Sequence, residues 1–298
     1  MSNYKESFTL NNGLEIPSIG IGMPIIAKLT LKEIIYDIYK NRARNIRKLI
    51  QTKKIVRYSI RNGIIMFDSA RAYGISDKIL GKVTKNKFQN SFIITKISNA
   101  DQRNGDIRKV VNEILNEIHK PKIDLLLIHW PQPETYINTW LQMEELYNEG
   151  IIRAIGVSNF HQHHIEELLS VANIIPAVNE IELHPLLNQK ELIQFNKRNG
   201  IQTIAYTPLG RMTSKITNNQ TLILLSNKYK KSIPQIILRW NYQNRVISIP
   251  YTSRKNRVIE YNDIYDFVLS EVEMTMIDEV NENIRIRFDP DNCDFDKL

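Results

Sequence analysis

Short apolar segments recur at eight places along the chain, and each is followed by residues with the spacing of an amphipathic helix. The segments occupy residues 17–22, 64–68, 91–96, 124–129, 152–157, 176–181, 202–206 and 246–250. Their apolar residues form continuous runs, which indicates strands buried on both faces, as in a parallel sheet. No Gly-rich or Pro-rich linker separates the repeats. The pattern therefore predicts a single (β/α)8 TIM barrel, an α/β fold spanning residues 1–298 as one domain.

The clearest helix candidate runs from Asp106 to His119 and has one apolar face. That face consists of Ile107, Val110, Val111, Ile114 and Ile118. Residues 139–147 and 165–169 show the same spacing. Ahead of the repeats, residues 8–16 alternate around Asn12-Gly13, which predicts a β-hairpin with a type I′ turn that caps the bottom of the barrel.

Composition limits the class of protein. With 42% hydrophobic and 24% charged residues, the chain matches a globular protein, and it has no apolar run of about 18 residues that could span a bilayer. The N-terminus lacks the apolar region of a signal peptide, and Cys293 is the one cysteine. We expect a cytoplasmic monomer with no membrane partner.

Polar residues follow the predicted strands at the end where a barrel of this kind carries its reactive groups. Asp68, Tyr73, Lys96 and His129 stand at the ends of consecutive strands. Alone, each has an ordinary structural explanation: a helix cap, a core ring, a solvated ammonium or a buried imidazole. Together they supply a carboxylate, a phenol, an ammonium and an imidazole, which is a set suited to general acid/base chemistry.

The phenol of a tyrosine has an unperturbed pKa of about 10 and is a poor proton donor at neutral pH. A lysine ammonium nearby favours the phenolate, and a carboxylate keeps that lysine charged and in place. We therefore expect Lys96 to lower the pKa of Tyr73 and Asp68 to hold Lys96. His129 could orient a carbonyl oxygen or relay a proton.

Ordered sequence blocks identify a family resemblance. They are FDSARAYG (67–74), IITK (93–96), DLLLIHWP (124–131), GVSNF (156–160), AVNEIELHP (177–185), AYTPLG (205–210) and FDPDNCDF (288–295). From about Phe8 to its C-terminus, the chain resembles the aldo-keto reductases. The resemblance implies NADP(H)-dependent reduction of a small aldehyde or ketone, with a C-terminal tail over the active site. It also implies a catalytic tetrad of Asp68, Tyr73, Lys96 and His129, in which Tyr73 is the general acid.

The nicotinamide end of the implied cofactor site is mostly present. The resemblance assigns Ser158 and Asn159 to the carboxamide and Tyr206 to stacking on the ring. It further assigns Gly22, Thr207 and Leu209 to the cofactor. Glu180 stands where the family usually has glutamine, and an ionised carboxylate cannot donate to the carboxamide oxygen.

The adenosine end and the pocket wall depart further from the family. Tyr251 replaces the lysine expected at the 2′-phosphate, and Tyr261 replaces an asparagine near the adenine, whereas Thr252 and Arg257 are retained. We therefore expect weak discrimination between NADPH and NADH, unless Tyr251 stacks on the adenosine and Arg257 suffices. In the substrate pocket, Met23 stands where the family has threonine, and Trp130 forms an aromatic wall.

Two other interpretations of the sequence are possible: one replaces catalysis with cofactor sensing, and the other adds a metal site. The chain could be a non-catalytic NADP(H)-binding scaffold that senses redox state, although such a scaffold need not keep both Tyr73 and Lys96. His161, His163 and His164 form the run HQHH, for which exposed residues at a helix start are favoured over a metal site. We expect no metal.

The net charge of +8 lies in one segment. Between Lys28 and Arg61 there are eleven basic and two acidic residues, so the remaining 29 basic and 30 acidic residues nearly cancel. Apolar spacing predicts two short amphipathic helices, in an insertion over about residues 25–50 of the first βα loop. The apolar positions are Leu31, Ile34, Ile35, Ile38, Ile46, Leu49 and Ile50. A solvated insert is favoured, while the alternative is a basic rim that attracts NADPH or an anionic substrate. Nucleic-acid binding is disfavoured because few aromatic residues accompany the charges.

Overall fold

A computed structural model of the protein describes residues 6–28, 30, 32–33, 36–37, 40, 43–86 and 88–297. An antiparallel hairpin comes first, formed by β1 (Ser7–Thr9) and β2 (Glu15–Pro17). The barrel strands are β3 (Ile21–Gly22), β4 (Met66–Asp68), β5 (Phe92–Ile97), β6 (Leu125–Ile128), β7 (Ile155–Ser158), β8 (Val178–Glu182), β9 (Gln202–Tyr206) and β10 (Ile247–Ile249). Each pairs in parallel with the next. A bridge between Ile19 and Ser248 brings the first and last strands together, so the predicted barrel is confirmed.

The described helices lie between the barrel strands and after the last one. They are α1 (Arg44–Arg61), α2 (Ser76–Thr84), α3 (Asn99–Asn104), α4 (Ile107–Ile118), α5 (Tyr136–Asn148), α6 (Gln162–Leu169), α7 (Lys190–Arg198), α8 (Ser214–Thr217), α9 (Gln220–Tyr229), α10 (Ile233–Gln243), α11 (Lys255–Asn262) and α12 (Glu271–Asp278). The predicted apolar face of α4 is buried, and Asp106 caps the helix by accepting from the Lys109 N–H at 3.0 Å. None of the described helices is long and apolar enough to cross a membrane.

The hairpin closes the bottom of the barrel, but its turn is not the predicted one. Phe8 and Ile16 are buried in the same apolar cluster as barrel residues such as Met66. The Gly13 N–H donates to the Leu10 carbonyl at 2.9 Å, and Gly13 has a φ of +82°. Type I′ requires a positive φ at both central residues, whereas Asn12 is not among the residues with positive φ. The prediction of a type I′ turn is wrong because three residues, not two, separate Leu10 from Leu14, and Gly13 takes up the left-handed position.

The basic segment also differs from its prediction. Ile46, Leu49 and Ile50 lie in the first two turns of α1, an uninterrupted helix of 18 residues, rather than in a separate short helix. The Asp37 carboxylate accepts from the N–H groups of Asn45 and Ile46 and so stabilises the start of α1. The other predicted apolar positions, Leu31, Ile34, Ile35 and Ile38, lie outside the described residues.

Candidate active site

Strand periodicity explains why polar residues meet at one end of the barrel. Alternate residues point inward, and the inward layer contains Met66, Ile94, Leu127, Val178 and Ile204. Two residues further along the same strands come Asp68, Lys96, His129, Glu180 and Tyr206. The apolar layer therefore forms the floor on which the polar residues stand, at the carboxyl ends of the strands.

Lys96 is at the centre of this polar layer and is 1% exposed. Its ammonium makes a very short contact with Asp68 Oδ1 and donates to the Ser69 carbonyl at 3.1 Å. Glu180 Oε2 lies 3.2 Å from the same Nζ. Burial lowers the pKa of Lys96, but the two carboxyls outweigh burial and raise it overall, so the ammonium stays charged.

Tyr73 is held beside this ion pair by a close turn. It ends a 3₁₀ turn, Arg71–Tyr73, and its carbonyl accepts from the Ile26 N–H at 3.1 Å. Gly74 follows with a φ of +68°, and a Cβ there would lie 2.2 Å from the Ile26 carbonyl oxygen. Only glycine permits this approach of the first loop to the turn that carries Tyr73.

Tyr73 lies close to both Lys96 and His129. Lys96 Nζ is 5.9 Å from the centre of the Tyr73 ring. The ring centres of Tyr73 and His129 are also 5.9 Å apart, in an edge-to-face arrangement. The structure thus brings together all the residues of the predicted tetrad.

Burial changes the acid/base properties that the sequence suggested. It raises the pKa of Tyr73 to about 12, because the favourable charge of Lys96 is outweighed by desolvation and by the carboxyls of Asp68 and Glu180. Lys96 does lower the pKa of Tyr73, as expected, but the net shift is upward because burial has the larger effect. Burial, together with the charges of Lys96 and Arg287, lowers the pKa of His129 to about 3, so this imidazole is neutral at physiological pH.

A cavity of about 770 Å³ opens above the polar layer. Its walls include most of the predicted cofactor and substrate residues, namely Gly22, Met23, Trp130, Ser158, Asn159, Glu180, Tyr206, Thr207, Leu209, Tyr251 and Tyr261. Asp68, Tyr73 and His129 also line it, whereas Lys96 lies behind them. Thr252 lines an adjoining cavity of about 470 Å³, and Arg257 lines neither.

Side chains at the ends of β7 and β9 fix one wall of the larger cavity. Asn159 has a φ of +65°, and its amide donates to the His129 carbonyl at 2.9 Å. The Tyr206 hydroxyl donates to Asn159 Oδ1 at 2.6 Å. The amide is therefore held between groups at the ends of β6 and β9, next to Ser158.

The predicted adenosine end is less well formed as an anion site. Tyr251 is 53% exposed, whereas Tyr261 is buried and hydrogen-bonded to Thr252. Arg257 forms an ion pair with Glu260 at 3.3 Å. The charge of this arginine is thus already partly balanced within α11.

The family resemblance implied a C-terminal tail over the active site, with the block at 288–295, but did not identify which tail residues line the cavity. Arg287, Phe288 and Lys297 line the cavity. The Glu182 carboxylate fixes the tail by accepting from the backbone N–H groups of Ile286 and Arg287 at 2.6 and 2.8 Å. Because Glu182 lies two residues beyond Glu180 on the inward face of β8, strand alternation alone could have identified it.

The histidine run after β7 contacts the same tail. His161 Nδ1 lies 2.8 Å from Asp291 Oδ2, and the other two rings lie 3.3 and 3.5 Å from Asp291 Oδ1. His163 is exposed as expected, but the His164 side chain is only 12% exposed. His164 Nδ1 accepts the His161 backbone N–H at 3.1 Å, so a neutral His164 carries its proton on Nε2, facing Asp291. This arrangement suits hydrogen bonds to the tail.

The structure is a (β/α)8 barrel that gathers a phenol, an ammonium, an imidazole and two carboxyls at the carboxyl ends of its strands. The sequence model of the Aldo/keto reductase family matches residues 48–282. Glyoxal reductase from Bacillus subtilis (strain 168) is 36% identical over 300 residues, which cover 99% of both chains. An aldo-keto reductase from a Medee basin deep-sea metagenome library superposes with a TM-score of 0.84 at 31% identity, covering 97% of this chain and 100% of that one. An aldo-keto reductase from Bombyx mori in complex with NADP gives a TM-score of 0.80 at 27% identity, covering 97% and 96%.

The chain therefore belongs to the aldo/keto reductase family and is an oxidoreductase. The resemblance inferred from the sequence blocks is confirmed.

Proposed function

We propose that this enzyme reduces an aldehyde or ketone to the alcohol with NADPH as reductant and Tyr73 as the proton donor. The observation that carries the proposal is that Tyr73 and His129 line one cavity side by side, with Lys96 directly behind Tyr73. Relatives that carry the names of carbonyl reductases support the reaction class, and the NADP complex of the Bombyx mori relative supports the cofactor.

The residues present fit a nicotinamide dinucleotide. Ser158 and the locked amide of Asn159 offer polar groups to a carboxamide, and Tyr206 offers an aromatic face beside them. Glu180 lines the same cavity, and although its Oε2 contacts Lys96 Nζ at 3.2 Å, its carboxyl has further lone pairs that can accept a hydrogen bond from a bound group. Bound NADPH would supply the hydride for the carbonyl carbon.

The side chains of the protein would manage the proton. The Tyr73 hydroxyl donates its proton to the carbonyl oxygen as the hydride reaches the carbon, which yields the alcohol and leaves a phenolate. Lys96 stabilises that phenolate, and Asp68 keeps Lys96 charged and in place. Neutral His129 can donate a hydrogen bond to the same oxygen, and solvent later returns a proton to Tyr73.

The pKa of about 12 for Tyr73 does not conflict with its role as an acid. A raised pKa keeps the phenol protonated across the physiological range, so the donor is always loaded. The transfer is driven by the negative charge that develops on the carbonyl oxygen, which makes that oxygen strongly basic as the hydride arrives. The reverse reaction, alcohol oxidation, needs the phenolate and should therefore be favoured only at high pH.

Short reactive aldehydes are the first substrates to test, because a relative is named glyoxal reductase. Keto acids belong in the same panel, because the cationic side chains Arg287 and Lys297 line the cavity and attract anionic substrates. Oxidation of NADPH and of NADH would be followed with glyoxal, 4-nitrobenzaldehyde, ketoses, keto acids and steroid-like ketones. Turnover of at least one carbonyl supports the proposal. Tight NADPH binding without turnover of any of them would instead favour a redox-sensing scaffold.

We also propose that the enzyme discriminates weakly between NADPH and NADH. An exposed phenol at Tyr251 cannot provide the charge of a lysine at a 2′-phosphate, and Arg257 is already paired with Glu260. A preference for NADPH above about 10³-fold in kcat/KM, which equals about 4 kcal/mol, would contradict this proposal.

A further inference from the structure

Glu180 stands where the family resemblance predicts glutamine, and the structure places it against the charged pair of the site. The side chain is 1% exposed, and its Oε2 lies 3.2 Å from Lys96 Nζ. Asp68 contacts the same ammonium and is also hydrogen-bonded to the Glu180 carboxyl. Two buried carboxyls therefore share Lys96.

The charge balance around Lys96 favours one proton on this pair of carboxyls. If both were ionised, the buried group would carry a net negative charge, which desolvation and mutual repulsion oppose. Asp68 makes the shorter contact with Lys96, so Glu180 is the carboxyl that keeps the proton. Burial and then the charge of Asp68 raise the pKa of Glu180 to about 8.

The protonation state of Glu180 changes what it can bind. A neutral Glu180 donates its one proton to Asp68 and keeps an acceptor oxygen for a carboxamide NH2, without adding charge to the cavity. An ionised Glu180 is also an acceptor, but it brings a negative charge. That charge attracts a positively charged ring, such as the oxidised nicotinamide, and gives no such advantage to the uncharged reduced ring.

We propose that Glu180 links dinucleotide binding to its own protonation: the neutral side chain binds the reduced form best, and ionisation shifts relative affinity toward the oxidised form. The inference rests on the proposed function, because it places the carboxamide against β8. It assigns Glu180 a role that glutamine at the same position could not have, since glutamine does not titrate.

The other groups around Glu180 do not titrate near pH 8. Burial raises the pKa of Tyr73 to about 12 and that of Tyr206 well above its usual value, and it lowers that of His129 to about 3. Hydrogen bonds from His184 and the tail outweigh burial and lower the pKa of Glu182. Lys96 stays charged, and Arg287 supplies a fixed positive charge. A change in binding near pH 8 would therefore report on the Asp68–Glu180 pair.

Quenching of protein fluorescence tests the inference without a carbonyl substrate. The dissociation constants of NADPH and NADP⁺ would be measured at constant ionic strength from pH 6.5 to 9.5. Both ligands carry the same 2′-phosphate, so the ratio of their constants cancels its titration. The variants are Glu180→Gln and, as a matched control, Glu273→Gln, which replaces a buried glutamate that pairs with Lys228 outside both cavities.

For the unmodified enzyme, we expect Kd(NADPH)/Kd(NADP⁺) to rise about tenfold between pH 6.5 and 9.5, since this range crosses the Glu180 ionisation by more than one pH unit. The control variant Glu273→Gln should show the same rise, whereas the ratio in Glu180→Gln should change less than about threefold over this pH range. A ratio that is flat in the unmodified enzyme, or that follows the same curve in Glu180→Gln, would overturn the inference. If the role of Glu180 were merely structural, Glu180→Gln would weaken the binding of NADPH and NADP⁺ equally, and the ratio of their dissociation constants would stay unchanged.

Calorimetry of the unmodified enzyme keeps the inference testable if Glu180→Gln fails to fold. At pH 8, in two buffers with different heats of ionisation, NADPH binding should take up more protons than NADP⁺ binding. Equal uptake would overturn the inference. Dinucleotide binding without any carbonyl turnover would count against the proposed function alone, and failure to bind either dinucleotide would overturn both.

Discussion

Gly74→Ala tests whether the contact between the first loop and the Arg71–Tyr73 turn positions Tyr73, the proposed proton donor. The new Cβ would lie 2.2 Å from the Ile26 carbonyl oxygen, against an ordinary contact of at least 3.4 Å, so one side must move by roughly 1 Å. That movement would disturb the hydrogen bonds from Ile26 N to Tyr73 O and from Ile75 N to Ile26 O. With a φ of +68° as well, we expect a loss of about 3–5 kcal/mol in the free energy of unfolding.

Gly105→Ala is the matched control. Gly105 also has a positive φ, +74°, but its Cβ would meet nothing within 4 Å. This variant should lose only about 1–2 kcal/mol, the cost of a left-handed backbone alone. Urea unfolding measures both losses, and NADPH oxidation with a reactive aldehyde measures kcat/KM.

We expect Gly74→Ala to reduce kcat/KM about 10²-fold, because a displacement of about 1 Å of a catalytic group has effects of that size. Gly105→Ala should stay within about twofold of the unmodified enzyme. If folded Gly74→Ala also kept kcat/KM within twofold, the claim that this contact positions Tyr73 would be refuted.

Two further predictions concern charge around the cofactor. Tyr251→Lys should raise the NADPH/NADH ratio of kcat/KM by about tenfold or more, which equals about 1.4 kcal/mol. The control Tyr251→Phe should leave this ratio unchanged. An unchanged ratio in the lysine variant would show that position 251 does not face the 2′-phosphate. Replacing Arg44 and Arg47 with glutamine should raise the KM for NADPH at low salt and have little effect at high salt, because Arg44 lines the adjoining cavity and screening removes long-range attraction. The same change at Lys197 and Arg198 on α7 is the control, and an equal effect there would exclude a local role for the basic segment.

The barrel and the positions of the site residues were predictable because both depend on short-range pattern. Continuous apolar runs mark buried parallel strands, and a polar residue two places beyond an inward apolar one must stand at the strand end. Asp68 after Met66 and Lys96 after Ile94 follow this rule. The buried face of α4 was predictable for the same reason.

Properties that depend on all the groups around a residue, such as a pKa, or on contacts between distant residues could not be predicted in this way. The sequence indicated that Lys96 stands near Tyr73, but the desolvation that reverses the net pKa shift depends on the whole enclosure. The start of α1 could not be predicted from local spacing, because its capping carboxylate comes from Asp37, which lies outside the helix. The pairing of the histidine run with Asp291 joins residues about 130 positions apart, which no local pattern reveals.

The central claim is that Tyr73 gives the proton to the substrate, and Tyr73→Phe tests it most directly. The variant removes the hydroxyl and keeps the ring that packs near His129. Carbonyl reduction and the dissociation constant of NADPH would be measured side by side, with Tyr229→Phe as the control, because Tyr229 lines neither cavity. We predict a loss of about 10²–10⁴-fold in kcat, the usual contribution of a general acid, with NADPH affinity within about threefold of the unmodified enzyme. A Tyr73→Phe enzyme that keeps kcat within tenfold would contradict the account.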